Sequence, residues 1–518
     1  MFLGIPYAAS PTGERRWKPP EPVKKWHGTR KADSYGPACP QADDPQRDAY
    51  IKEMVQTFEP YYSYRVAEDC FYLNVWTTNL PRNHAAAVRL PVMFWIHGGA
   101  NVSGSSQEVP MGPLLARQGV VVVSANYRLG VLGFMAHPAL TAESPHHASG
   151  NYGLLDQIAA LEWVQRNIAR FGGDPANVTI FGESAGSVNV CYLMASPLAR
   201  GLFQRGIMES GTCSDYIHPE LKTPIHYLGG SGTAEQVGLR VMRDLGIADG
   251  RDALANMRAK SWKDIVAVSD RYNSMLVTGT VDGWVLTEQP AISLVNGRLA
   301  RVPVIVGSNS DEGTVTVDED LHAAPTLANY KAYLKNEFEN DSEANEFFRL
   351  YPATTDADVH EAFACFDTDY GFGYPAHRFA WNGANSGQKV WYYYFTYSGR
   401  SEFYAKLGAF HSIELKFLTG WFRPSRWGEP NDEDRKLVNI MTGYWTQFAK
   451  TGDPNRLSLP LWPAYDPKRD QVLEIGHHVR LRPTPHVDRF AVFERSLNRK
   501  LAAVSHSSEK PPAAIPQK

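Results

Sequence analysis

The sequence predicts an α/β fold in which an open, mostly parallel central sheet is flanked by helices. Three observations lead there. The nearly unbroken apolar runs Pro91–Ile96 and Val120–Val123 read as strands buried on both faces, the habit of parallel strands. Leu154, Ile158, Leu161, Val164 and Ile168 recur three and four residues apart, which sets one stripe of a helix against a core. Such strand and helix segments alternate along the chain, as they do when helices cross over a parallel sheet.

Between the first two strands lies His97-Gly-Gly-Ala-Asn-Val-Ser-Gly104, a glycine loop at a strand end. The helix that follows stops at Gly172-Gly173. Val178–Phe181 then reads as a strand, Gly182-Glu-Ser-Ala-Gly186 as a tight turn and Ser187–Ala195 as a helix. Further strands are expected at Val302–Val306 and Val390–Phe395. No linker rich in proline, serine or glycine divides the interior, so residues 1–504 are read as one domain and 505–518, polar and proline-rich, as a disordered tail.

With 518 residues, 43% apolar and 21% charged, the chain can bury a large core. A net charge of −3 and a pI near 6.6 supply no basic field for nucleic acid or an anionic membrane, which points to a small neutral partner. No apolar run approaches the ~18 to 20 residues of a membrane span, and the first residues lack the pattern of a secretory signal. Cys39, Cys70, Cys191, Cys213 and Cys365 show no zinc-ligand spacing, His146-His147 reads as a polar loop, and no H-E-x-x-H occurs. No metal and no cofactor is expected. The odd cysteine count leaves at least one thiol unpaired in a monomer.

Gly182-Glu-Ser-Ala-Gly186 fits the short G-x-S-x-G pattern, which means little alone. Here a buried-strand run precedes it and a helix follows, the setting that lifts a serine hydroxyl above a sheet edge. Ser184 is therefore the candidate nucleophile. Ala185 offers an N–H at a helix N-terminus, and Gly98 and Gly99 offer backbone donors for an oxyanion. An ordinary turn serine and a plain glycine turn are the competing readings. Glu183 either supports this site or simply pairs with a buried charge. Glu312 follows the Val302–Val306 strand, yet by itself it reads more readily as a solvated loop charge, and His411 is one of 16 histidines. Cys191, seven residues after Ser184, reads as a packed thiol.

Taken together the motifs resemble the type B carboxylesterase and cholinesterase family, in particular its bacterial para-nitrobenzyl-esterase-like members. The residues that carry the likeness include Phe2-Leu-Gly-Ile-Pro-Tyr-Ala8, Glu68-Asp-Cys-Phe-Tyr-Leu-Asn74, Asn126-Tyr-Arg-Leu-Gly-Val-Leu-Gly133 and Phe171-Gly-Gly-Asp-Pro175. Later come Ser310-Asp-Glu-Gly313, Gly408-Ala-Phe-His-Ser-Ile-Glu414 and Trp445-Thr-Gln-Phe-Ala-Lys-Thr-Gly-Asp-Pro454. The resemblance implies an α/β-hydrolase fold with helical insertions around an active-site gorge. It also implies serine esterase activity through an acyl-enzyme, with Ser184 as nucleophile, Glu312 as the acid and His411 as the base. Ser210 and Glu414 match positions that support the triad from behind. A Cys39–Cys70 disulfide is implied too, and with it an exported protein, secreted or periplasmic, with a cytoplasmic location as the alternative. Cys191 and Cys365 are expected to be free, and Cys213 is left open.

The family often reads His-Gly-Gly-Gly followed by an aromatic residue, whereas this chain has Ala100 and Asn101, which leaves the acyl pocket's shape open. Family members also carry a hairpin and a signal peptide ahead of the segment that begins here at Phe2. No tryptophan lies between Cys39 and Cys70 to bind a quaternary ammonium, so small to medium neutral esters are expected rather than choline esters. The Gly98-Gly99-Ala100 stretch resembles a loop variant that admits tertiary-alcohol esters. The clusters Tyr61-Tyr62-Ser-Tyr64 and Phe372-Gly-Tyr374 are expected near an aromatic mouth, and activity is expected to fall below about pH 6 as an ordinary histidine protonates. A specialised esterase for feruloyl, mycotoxin or polyester bonds is one alternative. A silent adhesion module is another, opposed by the presence of all three triad residues. Monomer and homodimer both stay open.

Overall fold

In the computed structural model the described residues are 1–42, 65–80, 88–108, 110–227, 230–272, 278–317, 321, 323–338, 340–422 and 424–508. Tyr61, Tyr62 and Tyr64 lie outside them.

The apolar runs become strands because β-branched and aromatic side chains can be buried on both sides of a pleated sheet. In β3 (Leu90–Ile96), Val92, Phe94 and Ile96 enter one hydrophobic cluster while Met93 and Trp95 enter the other. The strand beside it, β4 (Val121–Ala125), is buried throughout. The order across the ten-stranded sheet is β1-β2-β4-β3-β5-β6-β9-β10-β11-β12. The edges are antiparallel: β1 (Phe2–Pro6) on β2 (Tyr72–Trp76), β2 on β4, and β11 (Gln471–Ile475) on β12 (Val479–Pro483). The interior is parallel, through β5 (Gly173–Glu183), β6 (Arg205–Glu209), β9 (Val304–Asn309) and β10 (Val390–Phe395). A short pair, β7 (Ile225–Tyr227) and β8 (Gly230–Gly232), stands apart.

Helices α1 (Tyr152–Asn167) and α2 (Ala185–Ala195) cover one face, with Leu154, Ile158 and Val190 in its core. After α3 (Tyr374–Asn385), helix α4 (Asp432–Thr451) covers the other face through Leu437, Met441, Trp445 and Phe448. A third, aromatic-rich core joins Phe347, Phe366 and Phe493 under the C-terminal helix α5 (Val487–Ser508). Among the described residues no helix is long and apolar enough to cross a membrane.

The expected elements are present with shifted ends. Strand β9 starts after Pro303, which has no N–H to give a ladder, and runs on through Gly307 to Asn309 because those residues pair with β10. Helix α5 continues through Ser508, so residues 505–508 are helical rather than tail, and 509–518 lie outside the described residues.

The cysteines divide differently from expectation. Cys39 is bonded to Cys70, as the family resemblance implied, and Cys365 is free. Cys191, expected to be a free thiol, is instead bonded to Cys213. The reason is the β5–α2–β6 crossover, which folds the helix back on the next strand and brings the two Cα atoms to 5.5 Å although 22 residues separate them. In alkylation without reductant, followed by mass spectrometry, only Cys365 should be modified. By the loop-entropy model, opening the Cys39–Cys70 link by Cys39→Ser should cost roughly 3 to 4 kcal/mol in denaturant unfolding. Unreduced Cys191 or Cys213 found alkylated would contradict this pairing.

Candidate active site

The chain leaves β3, forms β4 on one side of it, then returns to form β5 on the other side. In open parallel sheets the crevice at such a reversal, beyond the strands' carboxyl ends, is where ligands bind. The glycine loop after β3 and the turn after β5 both open there.

Ser184 sits at the end of β5 with φ 55° and ψ −129°, a left-handed conformation that L residues rarely adopt. Its N–H donates to the Glu209 carbonyl at 2.9 Å. Helix α2 starts at Ala185 and crosses close behind β3: a Cβ on Gly186 would lie 2.1 Å from the Ile96 carbonyl oxygen, so no side chain fits. The glycine loop approaches from the front. A Cβ on Gly98 would come within 2.9 Å of the Glu183 carbonyl oxygen and 3.1 Å of Ser184 Cβ, which sets this loop against the serine.

Glu312 follows β9 and His411 follows β10. Glu312 Oε2 lies 2.6 Å from His411 Nδ1, while its Oε1 accepts from Ser210 Oγ at 2.5 Å and from the Asn309 N–H at 2.7 Å. A fully buried carboxylate with these partners is held in one orientation. Glu183 Oε1 stands 3.2 Å from His411 Nε2 and also accepts from Ser412 Oγ. Glu414 takes a bond from Asn309 Nδ2 at 2.5 Å, and Phe372 packs its ring 4.8 Å from the imidazole. Ser184, Glu312, His411, Glu183, Ser210, Glu414, Gly98, Gly99 and Ala185 thus belong to one locus. Phe372 and Tyr374 part company: Tyr374 is buried in the third core with its hydroxyl on Glu494 at 2.8 Å. His146 and His147 are exposed, and His146 stacks on Trp284 at 3.8 Å.

Burial by itself would lower the His411 pKa, but the carboxylates of Glu183 and Glu312, with Glu414 behind them, outweigh it and hold the ring well above its ordinary value. Burial raises the Glu183 carboxyl against the pull of the imidazole and of Ser412. It raises Glu414 as well, helped by its acidic neighbours Glu183, Glu312 and Glu209. Several carboxyls in one dry space cannot all ionise.

Sequence reasoning passed over Glu209, Asn309 and Ser412. Glu209 accepts from Trp445 Nε1 at 3.0 Å, and burial pushes its carboxyl up to about 8. Ser412 and Trp445 fall inside the motifs quoted above and Glu209 stands next to the candidate Ser210, which was the available signal. Asn309 had none, because it precedes its motif by one residue.

The carboxylesterase family model matches residues 1–492. The chain is 36% identical over 491 residues to fumonisin B1 esterase of Sphingopyxis macrogoltabida, a match covering 92% of this chain and 83% of that protein. It is 34% identical over 505 residues to para-nitrobenzyl esterase of Bacillus subtilis strain 168, covering 94% and 93% respectively. Among solved structures, a thermophilic PNB esterase superposes with a TM-score of 0.79 at 31% identity, covering 95% of each chain.

Proposed function

The chain belongs to the carboxylesterase family, a serine ester hydrolase by that membership, and on this premise we propose that Ser184, His411 and Glu312 form its catalytic triad. In this reading Ser184 Oγ bonds to the ester carbonyl carbon as its proton passes to His411 Nε2. The carbonyl oxygen, now an anion, takes hydrogen bonds from the N–H groups of Gly98, Gly99 and Ala185. The C–O bond to the alcohol breaks, the imidazolium returns the proton to the alcohol, and an acyl-serine remains. Water repeats the steps and releases the acid. The observation that supports this reading is the 2.6 Å contact between His411 Nδ1 and a wholly buried Glu312, which leaves Nε2 3.2 Å from Glu183, the residue next to Ser184.

The substrate we propose is a neutral ester with a small to medium acyl group. The absence of tryptophan between Cys39 and Cys70 supports that choice over choline esters. The relatives are named for a fumonisin, a para-nitrobenzyl ester and, in the human protein at 31% identity, cocaine, so what they share is the ester bond rather than one alcohol or acid. The two disulfides support export to an oxidising compartment.

Ser184→Ala should leave a folded protein with kcat lowered on the order of 10⁴-fold or more, because triad members act as a unit. Substantial esterase activity in that variant, checked by turnover of p-nitrophenyl butyrate, would sink the assignment. The pH profile should differ from that of an ordinary histidine. Neighbouring carboxylates stabilise the imidazolium, so the neutral base appears only as pH rises through a raised pKa, and the acid limb of kcat/KM should lie above the ordinary ~6.5 rather than near pH 6. Glu183→Gln should move that limb down by roughly one unit; an unmoved limb would remove Glu183 from the account. In an ester panel, p-nitrophenyl butyrate should exceed butyrylthiocholine in kcat/KM, and the reverse order would overturn the substrate class. Complete inertness toward tert-butyl acetate would dismiss the tertiary-alcohol reading of the loop.

A further inference from the structure

Resting on the reading of Gly98 and Gly99 as oxyanion donors, we infer that Asn101 is a positioning residue that locks the oxyanion loop to the nucleophile's own helix. The loop turns through Ala100 at φ 51° and Asn101 at φ 58°, two successive L residues in left-handed conformation. Asparagine tolerates that region better than most residues and alanine poorly, so such a pair persists only where its surroundings over-determine it.

The surroundings do so. Asn101 is wholly buried, and its Oδ1 accepts from Asn189 Nδ2 at 2.8 Å, with the Tyr127 hydroxyl oxygen 3.3 Å away. Its carbonyl accepts the Gly130 N–H at 2.7 Å. Asn189, also wholly buried, stands on α2 five residues past Ser184. One side-chain bond therefore joins the loop that carries Gly98 and Gly99 to the helix whose first residue is Ala185, the third donor. Tyr127 ties the loop's start as well: its hydroxyl donates to the His97 carbonyl at 2.9 Å and its ring stacks on His97 at 4.3 Å. At the far end Gln41 brackets Gly104, accepting its N–H and donating to its carbonyl, each at 2.9 Å.

Donors for an oxyanion help only if they already stand where the charge will develop, and a fraction of an ångström of drift is costly. Gly98 and Gly99 come from one segment and Ala185 from another, so their spacing needs a brace across the gap. With the Asn101 side chain removed, the left-handed pair would relax and carry the loop N–H groups away from Ser184.

The test is a kinetic panel on the full chain with p-nitrophenyl butyrate, alongside thermal melting and the inactivation rate by diethyl p-nitrophenyl phosphate. Asn101→Ala should lower kcat roughly 10- to 100-fold with KM changed less than about threefold, and should slow phosphorylation of the serine in parallel. Asn101→Asp keeps an acceptor for Asn189 Nδ2, at the expense of a buried carboxyl, and should recover part of the loss. Asn189→Ala removes the same bond from the other side and should reproduce the kcat loss. It decides the matter alone if Asn101→Ala does not fold. A kcat within twofold of the parent in folded Asn101→Ala or Asn189→Ala, whatever the melting temperature, would overturn the inference. So would a loss confined to KM. Ser184→Ala in the same panel separates the two readings: activity there defeats the triad, whereas an inactive Ser184→Ala beside unimpaired Asn101 and Asn189 variants defeats only the brace.

Discussion

The left-handed backbone of Ser184 is the constraint around which this end of the molecule is arranged. A serine does not hold φ 55° unaided, and the surrounding fold restrains it. The preceding strand is fixed on both sides, to β3 and to β6, and the Glu209 carbonyl takes the serine's N–H. Helix α2 can follow at once only because Gly186 lets it pass the Ile96 carbonyl without a side chain. The Cys191–Cys213 bond then ties the helix to the segment after β6.

Strain gathers at this edge. Of nine non-glycine residues with left-handed φ among the described residues, Ala100, Asn101, Ser184, Ser210 and Ser412 all border the candidate site. Four of them are tied to another element: Asn101 to α2, the Ser184 N–H to the Glu209 carbonyl, Ser210 to Glu312 and Ser412 to Glu183. Such conformations survive where neighbouring elements converge, and here they aim short polar side chains and N–H groups into one crevice.

Behind the imidazole lies a row of polar residues set by strand register. Glu183 on β5 pairs with Glu209 on β6, Glu209 with Gly307 on β9, and Gly307 with Tyr393 on β10, so the three side chains share the face covered by α4. Gly307 has no side chain, and the Tyr393 ring lies over it. Trp445 of α4 closes the row by donating to Glu209. Parallel pairing thus collects acids that lie far apart in the chain into one dry space. Burial raises the Glu183, Glu209 and Glu414 carboxyls, while the acidic groups facing His411 raise its imidazole, and this electrostatic setting belongs to the sheet rather than to any one residue.

Hydrophobic patterning by itself determined the buried parallel strands, the helix after β4 and the strand–turn–helix around Ser184, because these depend on contacts between near neighbours and on the period of apolar residues. The shared motifs then put Glu312, His411, Ser210 and Glu414 among the candidates, although their spacing alone is that of unremarkable loop residues. Tertiary structure decided what no local pattern encodes. Strand register gave Glu209 its acidic neighbours, and the crossover of α2 joined Cys191 to Cys213. A lone left-handed turn set Asn101 against Asn189, 88 residues away. The physical reason is the same in each case: these contacts join elements distant in sequence, and their geometry exists only once the sheet has fixed where each strand ends.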